Sequence, residues 1–339
     1  MGGRSLGMYG ATTALALAIG CSGGSKEAAK SADQFDVGLV FDVGGLGDKS
    51  FNDAAHRGLV RAREELGIAF EYREPGDGSE RDAALRQFAA GETDLIIGVG
   101  FLFSDDIDKV AAEFPDKHFA CVDYTWQEGK AIPPNLVGLK FREEEGSALA
   151  GALAAMVSKT GTVGFVGGMD IPLIHKFEAG YKAGFARTRA DGKVLTNYAG
   201  VTGEAFANPA KGKELALAQI DRGADVIFHA SGSTGLGVFE AARARDILAI
   251  GVDSDQQAEA PGHILTSMVK QVDVAVFEVI RDANAGQFAG SVKILGLKEG
   301  GVGLIDDAGN AQWITAEVRQ RLGALRQEIV SGQFIVPSK

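Results

Sequence analysis

Positive charge is in short supply in this sequence: 34 Lys and Arg stand against 45 Asp and Glu across 339 residues, a formal net charge of −11 at pH 7. Binding to nucleic acid needs clustered Lys and Arg to neutralise phosphates, so this balance argues against DNA or RNA as a partner. Cysteine is scarcer still, with only Cys21 and Cys121, and the five histidines (His56, His118, His175, His229 and His263) form no i,i+4 pair. Neither type clusters at metal-ligand spacing, so no metal is expected, and Cys121, inside an apolar run, is expected to be a small buried hydrophobe. There is no G-x-S-x-G elbow to support acyl-transfer chemistry. Gly44-Gly-Leu-Gly-Asp-Lys-Ser50 approaches a phosphate loop, but Asp48 stands where that loop needs glycine before its lysine, and a carboxylate there repels phosphate. Ser231-Gly-Ser-Thr-Gly-Leu-Gly237 departs from G-x-G-x-x-G and reads instead as a loop that lets backbone approach a ligand. With no catalytic constellation and no dinucleotide fingerprint, neither an enzyme nor a bound cofactor is expected.

What is present begins with an N-terminal segment unlike the rest. Arg4 is followed by sixteen uncharged residues, Ser5 to Gly20, and then Cys21. That layout is a signal peptide's, and the run falls short of the roughly 20 apolar residues that a permanent membrane span takes. Ile19-Gly20-Cys21 resembles the lipobox of bacterial lipoproteins, with Ala18 where Leu is commonest. The expectation is a signal peptide over 1–20, a lipidated Cys21, and a polar tether over 21–35. Lipidation leaves Cys121 as the single other cysteine and rules out an intrachain disulfide.

From Asp36 onward, short apolar runs alternate with amphipathic stretches. Val37 to Phe41, Leu95 to Val99 and Phe119 to Val122 read as strands, with helices at Phe51 to Leu66 and Asp105 to Phe114. A second series follows: helices Glu143 to Ser158, Ile174 to Arg189 and Pro209 to Arg222, and strands Val163 to Val166, Val194 to Tyr198, Val226 to Phe228 and Leu248 to Val252. This βα repetition implies parallel sheets, and there are too many strands for one, so the pattern predicts an α/β protein of two Rossmann-like lobes with a ligand cleft between them. Three apolar runs end in a carboxylate: Phe41-Asp42, Val122-Asp123 and Val252-Asp253. Ligands of open α/β sheets bind beyond the carboxyl ends of strands, which places all three aspartates at the cleft. An aspartate there also serves as a helix cap or an Asx-turn, and both readings stay open from spacing alone.

The first strand and turn, Val37-Gly-Leu-Val-Phe-Asp-Val-Gly-Gly-Leu-Gly-Asp-Lys-Ser-Phe-Asn52, resemble the opening motif of the basic membrane protein family of bacterial nucleoside-binding lipoproteins. The resemblance continues through Gly167-Gly-Met-Asp-Ile-Pro172, Gly180-Tyr-Lys-Ala-Gly184, Asn208 to Glu214, Ala230 to Gly235, Ile250 to Gln256 and Ser267 to Lys270, nearly the whole chain past the tether. It implies a type I periplasmic-binding-protein fold that crosses between lobes near Lys140, Asp253 and Ala289. Lobe 1 would then comprise 36–140 plus 255–289, and lobe 2 141–254 plus 290–339.

The resemblance also implies a site and a role. Phe51 and Phe206 would hold a purine between their rings, Asn52 and Asp123 would read base edges, and Asp253 and Lys270 would take the ribose hydroxyls. Gly232 would let backbone come close, and Asp42 and Asp48 would complete the polar lining. The implied ligand is a purine nucleoside (guanosine, adenosine or inosine), and the implied partner is an ABC transporter permease. The receptor would be a monomer, attached to a bacterial membrane by its lipid. A nucleoside sensor signalling to another protein, or a nucleoside-processing enzyme, is the alternative.

Overall fold

The computed structural model describes residues 1–3, 34–76, 79–126, 129 and 131–339. The expected signal peptide and the lipidation of Cys21 lie outside the described residues, as does the tether apart from its last two residues, Gln34 and Phe35.

Lobe 1 starts as β1 (Asp36–Val40), α1 (Phe51–Leu66), β2 (Ala69–Arg73), α2 (Arg81–Ala89), β3 (Leu95–Val99), α3 (Ser104–Glu113), β4 (His118–Val122) and β5 (Leu136–Phe141). The chain then crosses into lobe 2, which runs α4 (Glu143–Val157), β6 (Thr162–Met169), α5 (Pro172–Thr188), β7 (Lys193–Gly200), α6 (Pro209–Ile220), β8 (Val226–Ala230), α7 (Thr234–Arg245), β9 (Leu248–Asp253) and β10 (Ile264–Lys270). It returns to lobe 1 for α8 (Val272–Asn284), packed on α1, and β11 (Ser291–Leu295), then ends in lobe 2 with β12 (Val302–Leu304) and α9 (Ala316–Val330), packed on α4.

Each lobe has one six-stranded sheet, ordered β11-β5-β4-β3-β1-β2 and β12-β10-β9-β8-β6-β7. All pairings are parallel except that of β12 with β10, which is antiparallel. The strand order reverses at β1/β3 in lobe 1 and at β6/β8 in lobe 2. Such switch points open a crevice at the strands' carboxyl ends. Strands covered by helices on both faces read as unbroken apolar runs, as the fully buried β3 (LIIGV) and β8 (VIFHA) do.

Two crossings differ from expectation. β10 pairs in register with β9, so the chain stays in lobe 2 until Lys270 rather than leaving at Asp253. β11 pairs with β5 over Ser291 to Leu295, so the third crossing follows Leu295 and not Ala289. The segment 255–270 therefore belongs to lobe 2, and 290–295 to lobe 1. Strand pairing decides these boundaries, and it is invisible in a local pattern.

Candidate ligand-binding site

A small cavity of about 60 Å³ lies between the lobes. Asp42, Asp48, Phe51, Asn52 and Asp123 of lobe 1 line it, together with Phe206, Gly232, Asp253 and Lys270 of lobe 2, so all nine residues singled out in the sequence meet there.

The lobe 1 wall is built by the turn from β1 into α1. Asp42 Oδ1 accepts the Val43 N–H at 2.8 Å, and its own N–H donates to Asn52 Oδ1 at 3.1 Å, which ties the strand end to the first turn of the helix. Burial pushes the Asp42 carboxyl up to about 7, against the Val43 amide and Arg81, which pull it down. Asp48 has a different job from simple lining. Its Oδ1 accepts the N–H groups of Ser50 and Asp53 at 2.9 and 3.1 Å, and its Oδ2 accepts that of Asn52 at 2.8 Å. It thereby satisfies amides that helix α1 leaves open at its start and aims Phe51 and Asn52 at the cavity. Ser50, at the cap position, makes no side-chain cap bond, because its Oγ donates to Asp253 Oδ2 at 2.6 Å in the other lobe.

Asp123 and Asp253 occupy corresponding places, after the fourth strand of lobe 1 and at the end of the fourth strand of lobe 2. Both take left-handed backbone angles, with φ of 59° and 63°. Few non-glycine residues sit there, and aspartate is among those that tolerate it. Burial lifts both carboxyls above the ordinary range, Asp253 to about 6, although Lys270 pulls against the rise in each case.

Lys270 closes β10 and is 2% exposed. Its Nζ lies 2.6 Å from the Asp123 carboxylate and 3.2 Å from Glu143 Oε1. It also stands 5.0 Å from the ring centroids of Phe51 and Phe141 and 5.8 Å from that of Phe177. Burial disfavours the ammonium, but Asp123, Glu143 and Asp253 together outweigh it and hold the pKa above the usual lysine value. Glu143, first residue of α4 and fully buried, is also paired with Lys176, whose Nζ donates to the Phe141 carbonyl at 2.6 Å. Burial would raise the Glu143 carboxyl, and the two lysines bring it below the ordinary range instead.

Sequence reasoning missed Glu143 because three consecutive glutamates at a helix start look like a solvated, dipole-compensating turn. It also missed the apolar wall of Phe101, Leu173, Ile174 and Phe177, and the lining residue Ser231. The only signals for Phe177 and Ser231 were their places beside or within the motifs that carried the family resemblance.

On the lobe 2 side, Phe206 ends a short 3-10 turn, Gly203–Phe206, and its carbonyl accepts the Ser233 hydroxyl at 3.0 Å. Gly232 has φ of +55°, and a Cβ there would stand 3.0 Å from the Phe206 carbonyl, so the turn into α7 calls for glycine. Hydrogen bonds then join the lobes across the cleft: besides Ser50 to Asp253, Ser254 Oγ donates to the Ser50 carbonyl at 3.0 Å, Arg57 Nη2 to Ser254 Oγ at 2.8 Å, and Gln256 Nε2 to the Lys49 carbonyl at 3.0 Å. Among the described residues, no group of three His, Cys, Asp or Glu side chains could hold a metal ion, and no helix is long and apolar enough to cross a membrane.

Two α/β lobes over a polar, aromatic-flanked cavity suit capture of a small solute. Residues 35–339 match the family described as ABC transporter substrate-binding protein PnrA-like. The chain belongs to this Bmp family. It is 37% identical over 326 residues to an uncharacterized lipoprotein of Pyrococcus abyssi, covering 92% of this chain and 78% of that one. It is 35% identical over 306 residues to basic membrane protein A of Borreliella burgdorferi, covering 89% and 87%. Among solved structures it is similar to an ABC transporter solute-binding protein from Aeropyrum pernix K1, with a TM-score of 0.81, 33% identity, and coverage of 90% of this chain and 94% of that one. At the family level, the Bmp protein described here is thus a substrate-binding protein of an ABC transporter, with the two-lobed fold of such receptors.

Proposed function

We propose that this Bmp protein binds a purine nucleoside, guanosine, adenosine or inosine, by closing its lobes on it. It works as a monomer, held to a bacterial membrane by a lipid on Cys21, and passes the nucleoside unchanged to an ABC permease. The observation that carries this reading is one cavity that combines an aromatic ring from each lobe, Phe51 and Phe206, with Asp42, Asn52, Asp123, Asp253 and Lys270.

The faces of a purine are apolar and suit stacking on flat rings, while its edges carry donors and acceptors for Asn52 and Asp123. A ribose offers hydroxyl hydrogens, which the carboxylate of Asp253 accepts, and oxygens to which Lys270 donates. Several buried carboxylates against one lysine disfavour a phosphate, so a nucleoside fits better than a nucleotide. Asp48 keeps a structural part in this scheme, since both its oxygens already serve backbone amides.

Calorimetric titration of the purified protein with guanosine, adenosine, inosine and their free bases tests the proposal. Saturable binding of at least one nucleoside, stronger than that of its base and with the nucleoside recovered intact, is the expected result. No heat from any of them would remove the nucleoside assignment.

A further inference from the structure

Ser231 lines the cavity one residue beyond β8 and is 1% exposed. Its Oγ lies 3.3 Å from Nδ1 of His229, and Nε2 of His229 lies 3.1 Å from Oε1 of Gln256. A hydroxyl, an imidazole and a carboxamide can each donate or accept, so the direction of this chain of hydrogen bonds is set by what holds its far end. Two backbone groups hold it. The Val252 N–H, which can only donate, points to Gln256 Oε1 at 2.8 Å, and the Lys49 carbonyl, which can only accept, takes the hydrogen of Gln256 Nε2 at 3.0 Å. The carboxamide has one orientation as a result, with its oxygen toward His229.

That oxygen requires a hydrogen on His229 Nε2. His229 is fully buried, and burial pushes its pKa down to about 4, outweighing the Gln256 bond that favours the charged form. At neutral pH the ring carries a single hydrogen, on Nε2, and Nδ1 is a bare lone pair. The ring is held in place: a Cβ at Gly235 would lie 2.0 Å from it, and Phe239 packs edge-on at 4.9 Å. The hydrogen between Nδ1 and Ser231 must therefore come from the serine.

We infer that Ser231 is a specificity-determining residue of the cavity: its hydroxyl hydrogen is committed to His229, so it faces the ligand as an acceptor only and selects a sugar hydroxyl that donates. This rests on the nucleoside reading. β8 lies next to β9, so Ser231, just past the end of β8, follows the strand that neighbours the one ending at Asp253, on the side proposed for the sugar. A neutral acceptor there recognises a hydroxyl without adding charge to a cavity already rich in carboxylates, and it repels an ether or fluorine in the hydroxyl's place.

Two measurements test the inference. In ligand-free protein, long-range 1H–15N spectra of the assigned His229 ring should show Nε2 protonated and Nδ1 unprotonated from pH 5.5 to 8, and the opposite tautomer would overturn the proposal whether or not any nucleoside binds. Wild type and Ser231→Ala are then titrated with a bound nucleoside and its 2′-, 3′- and 5′-deoxy analogues. The substitution should weaken the parent nucleoside by about 3- to 10-fold, in the range of one neutral hydrogen bond, and leave one deoxy analogue unaffected. An equal loss for all four ligands, or none for the parent, would refute the assignment. If wild type binds no nucleoside at all, the nucleoside reading and the sugar assignment fall together, while the tautomer result stands by itself.

Discussion

Ser50 donates its hydroxyl to Asp253 Oδ2 at 2.6 Å, from the start of α1 in one lobe to the end of β9 in the other. The contact explains two features together: the residue at the cap position of α1 does not cap it, and Asp48 takes over that task. Removing this hydroxyl loosens the join between lobes without touching either core. Ser50→Ala should weaken ligand binding by roughly tenfold, as loss of about 1.5 kcal/mol implies, and raise the radius of gyration of the free protein in small-angle scattering. Unchanged affinity together with unchanged scattering would show that the bond contributes nothing to closure.

Asp48 supports the site from beneath. Asp48→Ala strips the Ser50, Asn52 and Asp53 amides of their acceptor and should lower stability by about 1 to 2 kcal/mol in urea unfolding, the usual cost of a lost helix cap. Asp48→Asn keeps one carbonyl oxygen and should fall between the two.

Lys270 neutralises two carboxylates that have left water. Lys270→Met strands Asp123 at the lobe junction and leaves Glu143 to Lys176 alone, and breaking a buried pair in this way costs about 3 to 5 kcal/mol at pH 7. Adding Asp123→Asn to that variant should restore most of the loss in denaturant melts, with Glu143 kept as the partner of Lys176. A double variant no more stable than Lys270→Met would place the defect in packing against Phe51, Phe141 and Phe177 instead of in charge.

The carboxyls of Asp42 and Asp253 rise from 3.8 to about 7 and about 6 on folding. Between pH 4 and 7 the native chain keeps protons on these groups that the unfolded chain has already released, so their contribution makes stability fall as pH rises through that window. For Asp42, about three pKa units amount to something on the order of 4 kcal/mol, fully felt above pH 7. Asp42→Asn should therefore be more stable than wild type at pH 8, with the advantage vanishing near pH 4. An equal difference at both pH values would contradict the burial argument.

The strands and helices that could be read from the sequence are those that bury a continuous face. The runs at β3, β4 and β9 and the helices α1, α4 and α6 stand within a few residues of their expected places, because burial leaves its mark on composition position by position. Several of the elements absent from that reading have weaker marks, although β5 and α8, both largely buried, are absent from it too. β2 and β11 are edge strands whose side chains are exposed or half-exposed apart from Phe70, and β12 is three residues long. β10 carries Thr266, Ser267 and Lys270, polar residues that are buried only because Ile305, Gln256 and Asp123 meet them from distant parts of the chain.

Apolar periodicity, strand-end carboxylates and motif resemblance were enough to settle the α/β class, the existence of two lobes and a set of residues that converge on one cavity. Tertiary structure alone decided where the chain leaves each lobe, which aspartate caps a helix and which faces the cavity, and that Glu143 is a buried partner of Lys270. The reason is one of range. Burial and turn preference act on a residue through its near neighbours in the chain, so they leave a local pattern. Ion pairs such as Lys270 with Asp123, 147 positions apart, and relays such as Ser231–His229–Gln256–Lys49 exist only once strands from both lobes have been set side by side.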